Sequence, residues 1–234
     1  MRDQDGVASK STSKVDGKPE EKVPRAASYE LRMLQHPARV RCCGYGNKDR
    51  RTIDPCPVLE LVCLDATGAA IESVNEAPFL VCHASIWSED GQEDSSLIEN
   101  MHSHKQRSLD SSATQNLVGS LTNLSRPLRD VDNQKKLLFV FADLSVRLPG
   151  MFTLRFQLLD VSFGRHDEGV GSYMVGHSYM GGAPQLAMIQ TKPFESYRPK
   201  LFPGMLQTTA LSKKLAQQGV SEIRVRKDPV PRPS

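Results

Sequence analysis

Six groups of residues have types that do chemistry in other proteins. The five cysteines, Cys42, Cys43, Cys56, Cys63 and Cys82, fall within one third of the chain. No Cys-x-x-Cys or His-x-x-x-His pair occurs among them or elsewhere. Cys42 and Cys43 are adjacent, so an extended backbone points them to opposite faces, away from a shared metal. His102-x-His104 has suitable ligand types but sits in a polar stretch, where solvated surface is the simpler reading. Gly176-x-Ser178-x-x-Gly181 is one residue too long for a nucleophile elbow and has no amphipathic helix behind it. Gly169-x-Gly171 lacks the third glycine of a dinucleotide fingerprint. His166-Asp167-Glu168 supplies acid–base types without a nucleophile or oxyanion donor beside them. No catalytic residue, no metal ligand and no cofactor is assigned, and the chain is not expected to be an enzyme.

The sixth group is basic. Lys48, Arg50 and Arg51 lie on or beside a loop flexed by Gly44 and Gly46. Glycines let such a loop approach a phosphate backbone closely, and arginine forks suit phosphates and guanine edges. The charge map agrees. Net charge is only +3, but it is uneven. Arg32 to Arg51 holds Arg32, Arg39, Arg41, Lys48, Arg50 and Arg51 against Asp49, a local +5. Lys192 to Ser234 carries nine basic and three acidic residues, +6. Ala84 to His104 carries five acidic residues and neither Lys nor Arg. Two basic zones offset by an acidic one suggest a positive face for a polyanion, against the plainer reading of solvated surface.

The elements that must position these residues are mostly strands. The chain has 234 residues, enough for one large domain or two small ones. Its hydrophobic share is 38%. Its longest strongly apolar run, Leu137 to Ala142, is far short of the ~20 residues that cross a bilayer. The polar start reads as carrying no signal peptide, and the odd cysteine count suits reduced thiols. Residues 1–27 are too polar to offset ordering entropy and read as a disordered arm.

Tyr29, Leu31 and Met33 alternate with Glu30 and Arg32, the pattern of a half-buried strand. Val40 to Cys43, Val58 to Asp65, Phe79 to Trp87 and Leu186 to Thr191 read as further strands. Leu137 to Val146 and Met151 to Val161 form either a hairpin or an inter-sheet pair around Pro149-Gly150. Residues 88–114 read as a flexible acidic insertion, Asn116 to Leu124 as a short helix, and Leu128 to Asn133 as a polar connection. Gly164 to Pro184 reads as a long loop. Thr208 or Thr209 caps a helix carrying Leu211 and Leu215 on one face, and Gly219 ends it. Ile223 to Lys227 reads as a final basic strand, and 229–234 as a proline-rich tail. Many short strands with one helix make a mostly-β, immunoglobulin-like β-sandwich spanning 28–228.

Three separated blocks carry a family resemblance. The first runs from Tyr29-Glu30-Leu31 through Gln35-His36-Pro37, Cys43 to Arg51 and Ile53-Asp54-Pro55. The second comprises Leu128 to Asn133, Phe139 to Val146, Gly150 and Phe152 to Phe156. The third comprises Lys192-Pro193-Phe194, Phe202-Pro203-Gly204-Met205, Gln218-Gly219-Val220 and Ile223 to Lys227. Together they resemble the velvet domain of fungal developmental regulators. The short 88–114 segment and the lack of a long C-terminal region liken the chain to the spore-viability-regulator branch.

The resemblance implies a sandwich similar to the Rel homology domain. It also implies a nuclear transcription factor, with exchange to the cytoplasm left open, linking sporulation, secondary metabolism and light response. Implied partners are double-stranded DNA and other velvet proteins, in homo- or heterodimers. Lys48, Arg50 and Arg51 match the DNA-binding loop; Arg39, Arg41, Arg224, Arg226 and Lys227 are candidate basic support. The alternative is an interaction module whose velvet partner supplies DNA binding.

Overall fold

The computed structural model describes residues 26–45, 50–71, 79–98, 114–161 and 185–226. The first strands are β1 (Ser28–Gln35), β2 (Arg39–Arg41), β3 (Val58–Leu64), β4 (Ala70–Ile71) and β5 (Leu80–Ser88). Short strands follow: β6 (Leu97–Ile98), β7 (Thr114–Gln115), β8 (Leu117–Val118), β9 (Thr122–Leu124) and β10 (Arg126–Arg129). Then come β11 (Lys135–Val140), β12 (Ser145–Val146), β13 (Gly150–Asp160), β14 (Gln185–Gln190), β15 (Phe194–Tyr197) and helix α1 (Ala210–Gln217).

Two sheets face each other. One has the order β1-β3-β11-β10, with β4 also on β3; the other has β2-β15-β13-β5-β9, with β14 also on β13. Neighbours are antiparallel except β15 and β2, which run parallel. The period-two pattern explains the packing. Leu80, Cys82, Ala84 and Ile86 on β5, and Phe152, Leu154, Phe156 and Leu158 on β13, all point inward. They meet Leu31, Leu59, Leu61, Cys63 and Phe139 of the opposite sheet. Phe141 and Phe156 touch at a ring-centroid distance of 4.8 Å.

The first residues of β3 are buried on both faces, because α1 covers the outer side of the sheet there. Val58, Leu128 and Leu138 pack there against Leu215 and Val220. The mostly-β sandwich with one C-terminal helix is therefore the observed fold. The Leu137–Val146 and Met151–Val161 runs are an inter-sheet pair, since β11 and β13 lie in different sheets.

Several local expectations need correction. Asn116 to Leu124 is not a helix but β8, a turn and β9. Gly119 has φ 117°, and a Cβ there would lie 2.0 Å from the Asp143 carbonyl oxygen. In the expected connection Leu128 to Asn133, Leu128 and Arg129 are the end of strand β10, and only Asp130 to Asn133 is a turn. Ile223 to Arg226 forms no strand. The described beginning of the 88–114 segment, through Ile98, is structured: the Ser88 hydroxyl accepts from Gln92 and Glu93 N–H groups, and Ile98 is buried. β15 is an element that the sequence pattern does not announce. Of the arm 1–27, Ala26 packs on the core and Ala27 N–H donates to the Leu64 carbonyl at 2.8 Å; residues 1–25, the long loop from 164 to 184 and the tail 229–234 lie outside the described residues.

Candidate nucleic-acid interface

The basic loop leaves the sandwich through a neck held by backbone hydrogen bonds. Val40 is fully buried, so Arg39 and Arg41 alternate outward on β2. Beyond β2, Cys42 N–H donates to the Tyr197 carbonyl at 2.9 Å, and Cys43 N–H to that of Val146 at 3.0 Å. Gly44 N–H donates to the Arg147 carbonyl at 3.0 Å, and Arg147 Nη1 donates back to the Gly44 carbonyl at 2.9 Å. Gly44 takes φ 61°, the left-handed conformation that favours glycine. The returning segment is fixed by Ile53 N–H to the Leu144 carbonyl at 2.8 Å. Arg39 and Asp54 close the neck by exchanging backbone bonds of 2.8 and 3.0 Å.

The arginines predicted from sequence have different surroundings. Arg50 is anchored: its Nη2 donates to both the carbonyl and Oδ1 of Asp143, each at 2.6 Å. Gly119 permits this, because a side chain there would crowd both Asp143 and the Arg50 guanidinium. Arg51 is exposed, with no hydrogen bond or ion pair to another described residue. Arg39 sits beside Glu195 in the parallel register and reaches the Gly204 carbonyl at 3.5 Å. Arg224 is exposed. Arg226 is turned onto Asp54, with Nη2 to Oδ1 at 3.1 Å and Nη1 to Oδ2 at 3.2 Å. Lys48 and Lys227 lie outside the described residues.

The fold thus joins the two basic zones. Thr52, Asp54, Arg224 and Arg226 line one small recess, so the C-terminal zone meets the root of the loop. Two further arginines, which no motif in the sequence marks, belong to this surface. Arg147 holds the neck, and Arg198 is exposed beside it. Burial pushes the Cys42 thiol up, and the positive charges of Arg41 and Arg198 oppose that rise. In the sequence, Arg147 is legible only as the first charge after the apolar run ending at Val146. Arg198 is legible only as a charge before Pro199.

The acidic turn borders the same end. Asn116, almost wholly buried, donates from Nδ2 to the Ser95 carbonyl at 3.1 Å, and its Oδ1 accepts from Leu148 N–H at 3.1 Å. Glu89, Asp90 and Glu93 are exposed on this turn. A polyanion on the arginine surface would therefore meet repulsion on that flank.

Of the other candidate groups, only the cysteines lie among the described residues, and they do not come together as a site. Cys42, Cys56, Cys63 and Cys82 are buried, Cys43 is half-buried, and none of the five forms a disulfide within the described residues. Among the described residues no three His, Cys, Asp or Glu side chains gather as a metal site would require. His102, His104, the 166–168 triplet and the two glycine motifs after it lie outside the described residues.

Taken with the fold, these features define a two-sheet β-sandwich with an arginine-rich loop at one end and a helix docked on one sheet. Residues 29–114 and 98–229 match the Velvet factor family, and the chain belongs to it. It is 35% identical over 196 residues to "Spore development regulator vosA" of Beauveria bassiana, covering 82% of this chain and 64% of that protein. It is 34% identical over 207 residues to "Sexual development regulator umv3" of Mycosarcoma maydis, covering 86% and 46%. It is 31% identical over 195 residues to "Sexual development regulator VELC" of Pyricularia oryzae, covering 82% and 40%. The three relatives are thus matched over less than two thirds of their own length. All three are named as regulators, not enzymes.

Proposed function

We propose that this protein is a DNA-binding transcriptional regulator of fungal spore and sexual development, acting in the nucleus as a velvet homo- or heterodimer. The observation that carries this reading is the gathering of Arg39, Arg41, Arg51, Arg147, Arg198 and Arg224 around one end of the sandwich. A loop with a rigid neck offers preset phosphate contacts, so less ordering entropy opposes binding. The names of the relatives supply the developmental role. The velvet resemblance supplies the link to secondary metabolism and the dimeric state.

The test is a gel shift of the purified protein against a randomised duplex pool at two salt concentrations. Enrichment of one motif is expected, with affinity falling as salt rises. Arg51→Ala should weaken binding and reduce the log–log salt slope by about 0.9, one phosphate contact. Arg51 is the clean choice, because Arg50→Ala would also strip Asp143 of its partner. A folded protein that enriches nothing overturns self-sufficient DNA binding.

That result would favour the second reading, an interaction module whose velvet partner supplies the DNA contacts. Leu201 is 69% exposed next to Phe202 and gives that reading an apolar corner. Co-purification with a second velvet protein, surviving high salt and Arg51→Ala, is its signature.

A further inference from the structure

Arg226 is placed where a DNA contact is expected, yet its guanidinium is engaged in both directions. The Asp54 side chain is only 7% exposed and takes the fork of Arg226 on its two oxygens. Leu206 completes the site, its N–H donating to Asp54 Oδ2 and its carbonyl accepting from Arg226 Nη1. Arg226 N–H donates to Thr208 Oγ1 at 2.9 Å. Arg39 reaches from the neck to the Gly204 carbonyl. Asp54 is also the residue whose backbone pairs with Arg39, and Ala38 N–H donates to its carbonyl at 3.2 Å. One knot therefore joins the strand entering the basic loop, the segment leaving it, and the C-terminal segment.

We propose that the Asp54–Arg226 pair is a clasp that holds the neck of the basic loop in its DNA-binding shape. Both are positioning residues, and Arg226 is not a phosphate contact. The proposal rests on the DNA-binding reading above. The physical reason is the burial of Asp54. A carboxylate this enclosed is tolerated because two guanidinium nitrogens and an amide N–H satisfy it. Without Arg226 the charge is buried and unpaired, a state the chain escapes by opening the neck. A loosened neck must be ordered again on DNA, which weakens binding.

Asp54→Asn separates the clasp from electrostatics by sign. Removing a negative charge beside a basic surface, by itself, tightens binding to a polyanion. Loss of the clasp weakens it, by about tenfold if roughly one further residue must be ordered on binding. Arg226→Gln should weaken binding similarly while leaving the salt slope of the wild type, whereas loss of a phosphate contact lowers that slope by about 0.9. The double variant should be no worse than either single one, because both break the same pair.

Tryptic cleavage after Lys48, Arg50 and Arg51 without DNA gives an independent readout, and it should accelerate in each variant. Should Asp54→Asn fail to fold, Arg226→Lys keeps the charge, loses the fork and is expected to fall between wild type and Arg226→Gln. Tighter DNA binding by Asp54→Asn with unchanged cleavage overturns the clasp. So does a reduced salt slope in Arg226→Gln. Faster cleavage in the variants of a protein that never binds DNA keeps the clasp and removes the DNA reading instead.

Discussion

Between the two sheets, Phe139, Phe141, Phe156 and Phe194 pack among leucines and isoleucines with almost no exposure. Beneath helix α1, Leu215 and Val220 meet Val58, Leu128 and Leu138 beside a buried polar cluster. Gln35 lies at its centre. Its Nε2 donates to the Cys56 carbonyl at 2.7 Å and to Ser212 Oγ at 3.0 Å. Its Oε1 accepts from Thr209 Oγ1 at 2.6 Å. The same Thr209 oxygen accepts from Ser212 N–H at 3.0 Å and caps the helix.

Apolar contact has no direction, so the inter-sheet core fixes that the sheets meet. Hydrogen bonds are directional, so the polar cluster fixes where the helix sits. The difference matters for the basic surface, because the segment leading into the helix also carries the Leu206 contact to Asp54. The sandwich core makes the platform, and the helix-side core attaches the part that reaches the loop.

The strongest test of this contrast is Phe156→Ala, which opens the inter-sheet core. It should lower global stability by about 3–5 kcal/mol, the range for emptying a buried phenylalanine site. Denaturant unfolding followed by circular dichroism measures it, and a loss under about 1 kcal/mol would show that this core is not the platform.

Leu215→Ala tests whether the helix side opens by itself. Its cost is about 2–5 kcal/mol. Cys56 and Cys82 report on the two cores separately. Burial pushes the Cys56 thiol up to about 11 and raises that of Cys82 as well, so both are slow to label in the native protein. In Leu215→Ala, labelling of Cys56 should accelerate while Cys82 stays protected. Equal acceleration of both would mean one cooperative unit.

The smallest effect concerns Asp130, in the turn beside the helix-side core. Burial alone pushes its carboxyl up. The Gln134 N–H, the Lys136 ammonium and the Asp132 N–H outweigh that and hold it below the usual carboxylate range. A carboxyl lowered in the folded state stabilises above its unfolded value, about 3.9, and that contribution is lost as pH falls through the folded value. Asp130→Asn should therefore lower stability slightly at neutral pH and flatten its fall below about pH 4. A parallel curve would show that the turn carries no acid sensitivity.

Much of the framework is legible along the chain. Alternation in Phe79–Trp87 and Met151–Val161 announces β5 and β13, because a pleated strand with one buried face must repeat every two residues. Thr208-Thr209 and Gly219 mark the helix ends, because unpaired backbone groups there need a cap and a left-handed residue, and the structure makes Thr209 the cap. The velvet blocks and the basic loop are legible too. The two- and three-residue strands β8, β9 and β12 are not, because so few residues carry no period. The pattern of Asn116–Leu124 suggests a helix, whereas its geometry is set by Asp143 lying against Gly119.

By itself, then, the sequence determined a mostly-β domain of the velvet family with its positive charge in two stretches. Local periodicity, capping chemistry and residue type are all properties of neighbours in the chain. Only the tertiary structure decided which of those charges face solvent. Arg51 emerges exposed, Arg50 turns onto Asp143, and Arg226 turns onto Asp54 far back in the chain. An ion pair depends on the distance between two side chains after folding, and spacing along the chain does not contain that distance.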